Sequence, residues 1–193
     1  MSIERLIRSV NSLHVISEDL YLRLAVANPQ QKRFPKNINI VLPEMRYQQG
    51  LFVLEGIIKA FRLNDEGEEQ IYCFWKEDEF VLLEDCLFHD QCSDLYLSPV
   101  ETSEVLVVKK EDVEKFNTEF PETRKHTELI LKQQNIKRDK LLNIICNPPK
   151  DRYDLFRQAF PKLWHRLSDR DVCAYLCIST KTLSRSKSSA KRL

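Results

Sequence analysis

The chain has 193 residues and a mass of 22.9 kDa, room for one full domain or two small ones. Apolar residues make up 42% and charged residues 31%, and no apolar run approaches the ~20 residues of a membrane span, so the composition is that of an ordinary globular chain. The net charge of +1 conceals two opposite halves: residues 1–120 hold 13 Lys/Arg against 22 Asp/Glu, a balance of −9, whereas residues 121–193 hold 17 against 7, a balance of +10. Such asymmetry points to a nucleic acid or another anionic surface as partner of the basic half. The far end carries Lys181, Arg185, Lys187, Lys191 and Arg192 without an acid. A solvated basic tail is the plain reading of that run alone.

Residues 2–27 read as helix, with Leu6, Val10, Leu13, Leu20, Leu24 and Ala27 at helical spacing. Ser17 suits an N-cap that restarts the helix at Glu18-Asp19, and Asn28-Pro29 ends it. The first ten residues lack a continuous apolar core, so no secretory signal is expected.

From about 33 to 110 the pattern changes to short strand-like runs. Ile38, Ile40 and Leu42 alternate with polar residues; Leu51 to Leu54, Ile57 to Leu63, Gln70 to Trp75, Phe80 to Leu83, Asp94 to Leu97 and Glu104 to Val108 follow. Asn64-Asp65-Glu66-Gly67 predicts a hairpin turn. Several short strands with turn signals argue for an antiparallel sandwich or barrel. Gly50, Gly56 and Gly67 are each expected in a turn. Tyr72, Phe74, Trp75 and Phe80 are expected to build the core of this unit.

Helix returns at Glu111 to Phe120. Pro121 and Glu122 suit the first turn of a long helix that ends near Cys146, before Asn147-Pro148-Pro149. Ile130, Leu131, Leu141, Leu142 and Ile145 offer a stripe for a dimer seam, with Gln134 and Arg138 polar at its middle. Packing of that helix on its own β unit is the competing use. Residues 151–160, 168–176 and 179 onward predict three further helices.

The six cysteines, at 73, 86, 92, 146, 173 and 177, form no CxxC pair. They fit a reduced, cytoplasmic protein better than a disulfide framework. Cys173 and Cys177 fit packing better than a metal site, and Cys86 and Cys92 read as small buried residues, with a redox role the lesser option. His14, His89, His126 and His165 form no HxH or HExxH pair, which disfavours a metal-dependent β-barrel enzyme. No P-loop, GxGxxG or GxSxG is present. No enzyme activity, metal or cofactor is expected.

The stretch from Leu167 to Arg185 is the most informative. Ser168 suits the cap of a short helix with Val172, Cys173 and Leu176 inward; Cys177-Ile178 makes a turn; Ser179 caps a second helix carrying Thr180, Lys181, Thr182, Leu183, Ser184 and Arg185. Two short capped helices around such a turn make a helix-turn-helix. An exposed Thr, Lys and Arg face on the second helix suits base-edge acceptors and phosphates in a major groove. Cys177 stands where Gly is usual, and Ser186, Ser188 and Ser189 replace apolar residues, so the second helix is expected to fray after Arg185.

In order and spacing, these segments resemble the Crp–Fnr family of bacterial transcription regulators over nearly the whole chain. Ile16-Ser-Glu-Asp-Leu20 resembles its opening helix, Leu51 to Phe61 its strand–Gly–strand signature, Asn64 to Gly67 the following hairpin, Glu101 to Val108 the last β-roll strand, and Leu167 to Arg185 the DNA-reading motif. The resemblance implies an α+β chain: a cyclic-nucleotide-binding-like antiparallel β-roll over 1–120, a connecting and dimerisation helix over 121–147, and a helix-turn-helix domain of winged-helix type over 148–193. The wing itself is short or absent in the sequence up to Leu193.

Effector-binding relatives carry a phosphate cassette with Gly-Glu at its start and Arg-Ser near its end. Backbone N–H groups and the Arg neutralise the cyclic phosphate, and the Glu holds a ribose hydroxyl. Here the aligned positions are Leu82-Leu83 and Ser93-Asp94, and Glu84 reaches the ribose role only with a one-residue shift. The resemblance therefore implies a degenerate pocket without cyclic AMP or cyclic GMP binding, and leaves another small-molecule effector open. An iron–sulfur cluster, known in one branch, lacks its N-terminal cysteines here.

On the DNA side, Thr180, Lys181 and Arg185 match base-reading positions, and Ser179 and Thr182 match phosphate-contacting ones. The implied function is a homodimeric regulator that binds double-stranded DNA. The alternative is a sensor or protein-interaction module of the same fold that has lost DNA binding.

Overall fold

The structure, a computed structural model, describes residues 2–190, the side chains of 189 and 190 excepted. Lys191 and Arg192 of the basic tail lie outside the described residues. The chain forms two compact units: Met1–Lys59 with Phe74–Gln134, and Ala60–Cys73 with Asn135–Leu193. This grouping differs from the division expected at 120 and 147, because the hairpin over 60–73 falls in the same unit as the C-terminal helices.

In the first unit, α1 (Ser2–Leu13) and α2 (Glu18–Ala25) are separate helices. Ser17 restarts the helix as expected, its hydroxyl accepting from the N–H of Leu20 at 3.2 Å. The strands are β1 (Gln30–Phe34), β2 (Gln49–Glu55), β3 (Ile58–Leu63), β4 (Glu69–Trp75), β5 (Phe80–Val81), β6 (Tyr96–Pro99) and β7 (Ser103–Lys109). They form one sheet in the order β1-β7-β2-β5, antiparallel throughout, and another in the order β4-β3-β6. Phe52, Leu54 and Leu106 of the first sheet meet Leu6 of α1 in one buried cluster flanked by Phe80 and Val108. Full burial of such side chains is worth about 1.5–3 kcal/mol each.

One strand expectation is corrected. Residues 38–42 make only a lone bridge, Val41 to Leu97, with Ile38 and Leu42 exposed. Asn37 takes a left-handed φ of 63° and Pro43 follows, so the extended run cannot propagate. The strand lies earlier, at β1, whose polar residues hide the signal because it is the sheet's edge and mostly exposed.

Gly56 and Gly67 take positive φ, at 92° and 75°. Gly50 is no turn: it lies inside β2, where an added Cβ would sit 2.7 Å from the side chain of Leu82. A short helix that the sequence pattern did not reveal, α3 (Glu84–Phe88), follows β5. Helix α4 (Lys110–Glu119) leads into the long α5 (Thr123–Ile145). Pro121 and Glu122 precede α5 rather than open it. The Glu122 carboxylate instead accepts from the N–H and hydroxyl of Ser17 at 3.0 and 2.7 Å, which lowers its pKa.

The second unit holds the β3–β4 tip and the helices α6 (Arg152–Ala159), α7 (Asp169–Leu176) and α8 (Thr180–Ala190), with a 3-10 turn at Trp164–Arg166. Its centre is Tyr153, Phe156, Val172, Tyr175, Leu176 and Leu183. Tyr175 packs edge-on against Phe156 at 5.6 Å and Phe160 at 6.1 Å. Burial raises its phenol well above the usual range. Leu141 and Ile144 of α5 are buried, whereas Ile136 and Leu142 are exposed.

Candidate nucleic-acid interface

Helices α7 and α8 form the expected helix-turn-helix. Ser168 caps α7, its hydroxyl accepting from the N–H of Asp171 at 3.1 Å. Cys177 ends α7 in the left-handed conformation, φ 50° and ψ 52°, with its N–H on the carbonyl of Cys173. A non-Gly residue there stores strain of about 1 kcal/mol. The turn is held from outside the motif. Arg152 of α6 donates to the carbonyls of Leu176 and Cys177 at 3.0 and 2.9 Å, and to that of Asn147 at 2.9 Å. The sequence reading missed Arg152, because nothing local marks an arginine that serves carbonyls some 25 residues away.

The inner face of α7 is Val172, Tyr175 and Leu176; Cys173 is only half-buried, a correction to the expected inward set. Its thiol pKa is raised by burial and by Asp169. Cys177 lies beyond the helix end and is exposed, so the two thiols do not share a helix face. Ser179 precedes α8 and accepts from the N–H of Thr182 at 3.1 Å, and the two hydroxyls lie 3.0 Å apart. Ser179, Thr180, Lys181 and Arg185 are exposed and Thr182 is half-buried. Lys181 and Arg185, four residues apart, share the helix face opposite buried Leu183.

The helix does not fray after Arg185 but runs to Ala190. Ser186 occupies a buried position because its hydroxyl donates to the carbonyl of Lys150 at 2.9 Å. Lys187 is paired with Asp169 of α7. A cleft of about 770 Å³ opens between this motif and the β3–β4 tip. Ser179, Thr180, Arg170 and Cys177 line one side, Asn64, Glu68 and Glu69 the other.

The cassette positions are placed as follows. Leu82 follows β5 and Leu83 is buried just before α3; Glu84 opens α3 and is exposed. Ser93 is buried, its hydroxyl accepting from the N–H of Leu95 at 3.0 Å, and Asp94 is exposed. Gln134 of α5 reaches this segment. Its Oε1 accepts from the indole of Trp75 at 3.0 Å and from the N–H of Leu82 at 3.1 Å, and its Nε2 donates to the Leu82 carbonyl at 3.2 Å.

Other expectations are refined. Phe74 and Trp75 are buried, but Tyr72 is only half-buried, with Arg62 and Arg138 stacked on its ring at 5.6 and 4.8 Å. Cys86 is buried as expected, but Cys92 is exposed, a correction to its reading as a small buried residue. His14 and His126, far apart in sequence, meet with ring centroids 5.7 Å apart, and buried His126 bonds the carbonyls of Glu122 and His14. Among the described residues, no group of three or more His, Cys, Asp or Glu is placed to hold a metal ion, and no helix is long and apolar enough to cross a membrane.

The order of helices, antiparallel strands, long helix and helix-turn-helix is that of known structures. The chain is similar to FixK2 from Bradyrhizobium japonicum, with a TM-score of 0.76 and 16% identity over 86% of each chain. It is similar to the c-di-GMP responsive global regulator CLP of Xanthomonas campestris, with a TM-score of 0.71 and 12% identity over 91% of this chain and 92% of that one. A transcriptional regulator of the Crp/Fnr family from Thermus thermophilus gives a TM-score of 0.69 and 14% identity over 84% of this chain and 86% of that one. The chain has the Crp/Fnr regulator fold. Neither a family model nor a curated protein matches the sequence. In this chain α7 and α8 form the helix-turn-helix, Leu82, Leu83 and Glu84 lie in the β5–α3 segment, and Ser93 and Asp94 lie beyond α3.

Proposed function

We propose that the chain is a DNA-binding transcription regulator that acts as a homodimer. The observation that carries this reading is the capped α8 with Thr180, Lys181 and Arg185 exposed beyond a helix-turn-helix, on a Crp/Fnr fold. Thr180, Lys181 and Arg185 read base edges; Ser179 and Thr182 present their hydroxyls to phosphate. Of the expected stripe on α5, exposed Leu142 and half-buried Leu131 and Ile145 share one face and supply apolar surface for the dimer seam, whereas Ile130 and Leu141 are buried. The two-fold pair sets its recognition helices in major grooves about 34 Å apart. Cyclic AMP and cyclic GMP do not act as effectors, because Leu82, Leu83, Ser93 and Asp94 offer neither the guanidinium nor the ribose carboxylate.

The alternative, a sensor or interaction module of the same fold without DNA binding, is favoured by one feature: acidic Glu68 and Glu69 share a cleft with Ser179 and Thr180. Duplex affinity measured against salt separates the two. The regulator reading gives a steep loss of affinity with rising salt through counterion release. Lys181→Ala and Arg185→Ala then cost about 1–3 kcal/mol each of sequence discrimination. Folded protein with no salt-dependent affinity for any duplex supports the alternative.

A further inference from the structure

The end of β5 poses a local problem. Its pairing with β2 covers Phe80 and Val81 only, so the backbone N–H and C=O of Leu82 lie past the ladder. Leu83, which precedes α3, makes no side-chain cap. Backbone groups in such a half-buried place need partners. One side chain supplies both: Gln134 accepts from the Leu82 N–H and donates to its carbonyl, and its oxygen also takes the Trp75 indole. On its other side the Leu82 side chain lies over β2, its Cδ2 2.7 Å from where a Cβ at position 50 would stand.

We propose that Gln134 stands in for a small-molecule effector. Its amide occupies the N–H and C=O of Leu82, the first cassette position, and holds the β5–α3 segment against α5. The carboxamide suits this role because it carries an acceptor and a donor side by side, matching the N–H and C=O of one residue. It is a positioning residue, and the roll it serves is self-liganded. The proposal deepens the regulator reading and rests on it for its consequence, ligand-independent regulation. Its test is read without DNA.

The experiment uses the full chain with Trp164→Phe, so that Trp75 alone reports. Addition of cyclic AMP or cyclic GMP at about 1 mM, enough to reveal even weak binding, is expected to leave Trp75 emission and exchange of the Leu82 amide unchanged. Gln134→Ala is expected to shift Trp75 emission to the red and to speed exchange at Leu82 about ten-fold, since water takes the place of the amide that both donors lose. Gln134→Glu keeps that acceptor and is expected to retain the parent emission. Either nucleotide altering the Gln134 protein, or Gln134→Ala leaving emission and exchange untouched, overturns the proposal. If Gln134→Ala does not fold, the nucleotide arm and Gln134→Glu decide it. Failure to bind DNA would overturn the regulator reading and move none of these signals.

Discussion

Arg152 and Cys177 are joined by a 2.9 Å hydrogen bond from guanidinium to carbonyl, and the same nitrogen reaches the carbonyl of Leu176 at 3.0 Å. The arginine thereby satisfies carbonyls at the end of α7, which the helix leaves without partners. Arg152→Met keeps much of the aliphatic bulk and removes these bonds. Hydrogen bonds to a charged group are worth more than neutral ones, so the variant should lose about 1–2 kcal/mol of unfolding free energy. Denaturant midpoints at constant slope measure it; an unchanged midpoint contradicts the role.

Cys177 itself offers the opposite test. Its φ of 50° is a conformation that glycine adopts without strain. Cys177→Gly should raise stability by about 1 kcal/mol, and Cys177→Val should lower it. A destabilised glycine variant would mean that the side chain packs more than its exposure suggests.

Glu122 gives a pH signature. Its carboxylate is held below the usual range by the Ser17 N–H and hydroxyl. A lowered folded pKa contributes stability above the unfolded value, near the ordinary 4.5, and loses it as pH falls through the folded value. Glu122→Gln should therefore be less stable than the parent at neutral pH, with the gap closing in acid below the usual carboxylate range. Thermal melts across that range measure it, and a gap independent of pH contradicts the cap. The group is only partly buried, so solvent screening keeps the effect small.

The β3–β4 tip carries Asp65, Glu66, Glu68 and Glu69, and Glu68 and Glu69 line the cleft shared with Ser179 and Thr180. Negative charge beside the proposed DNA-reading helix opposes a phosphate backbone. Glu68→Gln with Glu69→Gln should raise duplex affinity about two- to five-fold at low salt, with the gain vanishing as screening increases. Unchanged affinity at low salt would separate the hairpin from the interface.

Much of this architecture is legible in the sequence because its signals are local. Ser17, Ser168 and Ser179 announce helix starts, and all three hydroxyls accept the expected N–H. Asn64 to Gly67 announces the hairpin. Strand β1 escapes because an exposed edge strand has no apolar alternation, and 38–42 mimics one without the backbone to extend it. Ser186 misleads as a helix breaker because its partner, the Lys150 carbonyl, is 36 residues away. Arg152 and Gln134 act on distant backbone groups, and no spacing rule points to such partners.

The most direct test of the central claim is selection of bound sequences from random duplex DNA by the full-length protein at about physiological salt. The account predicts a palindromic motif whose half-sites lie one helical turn apart, recovered without added cyclic nucleotide. Folded protein that enriches no sequence, with or without nucleotide, would contradict it.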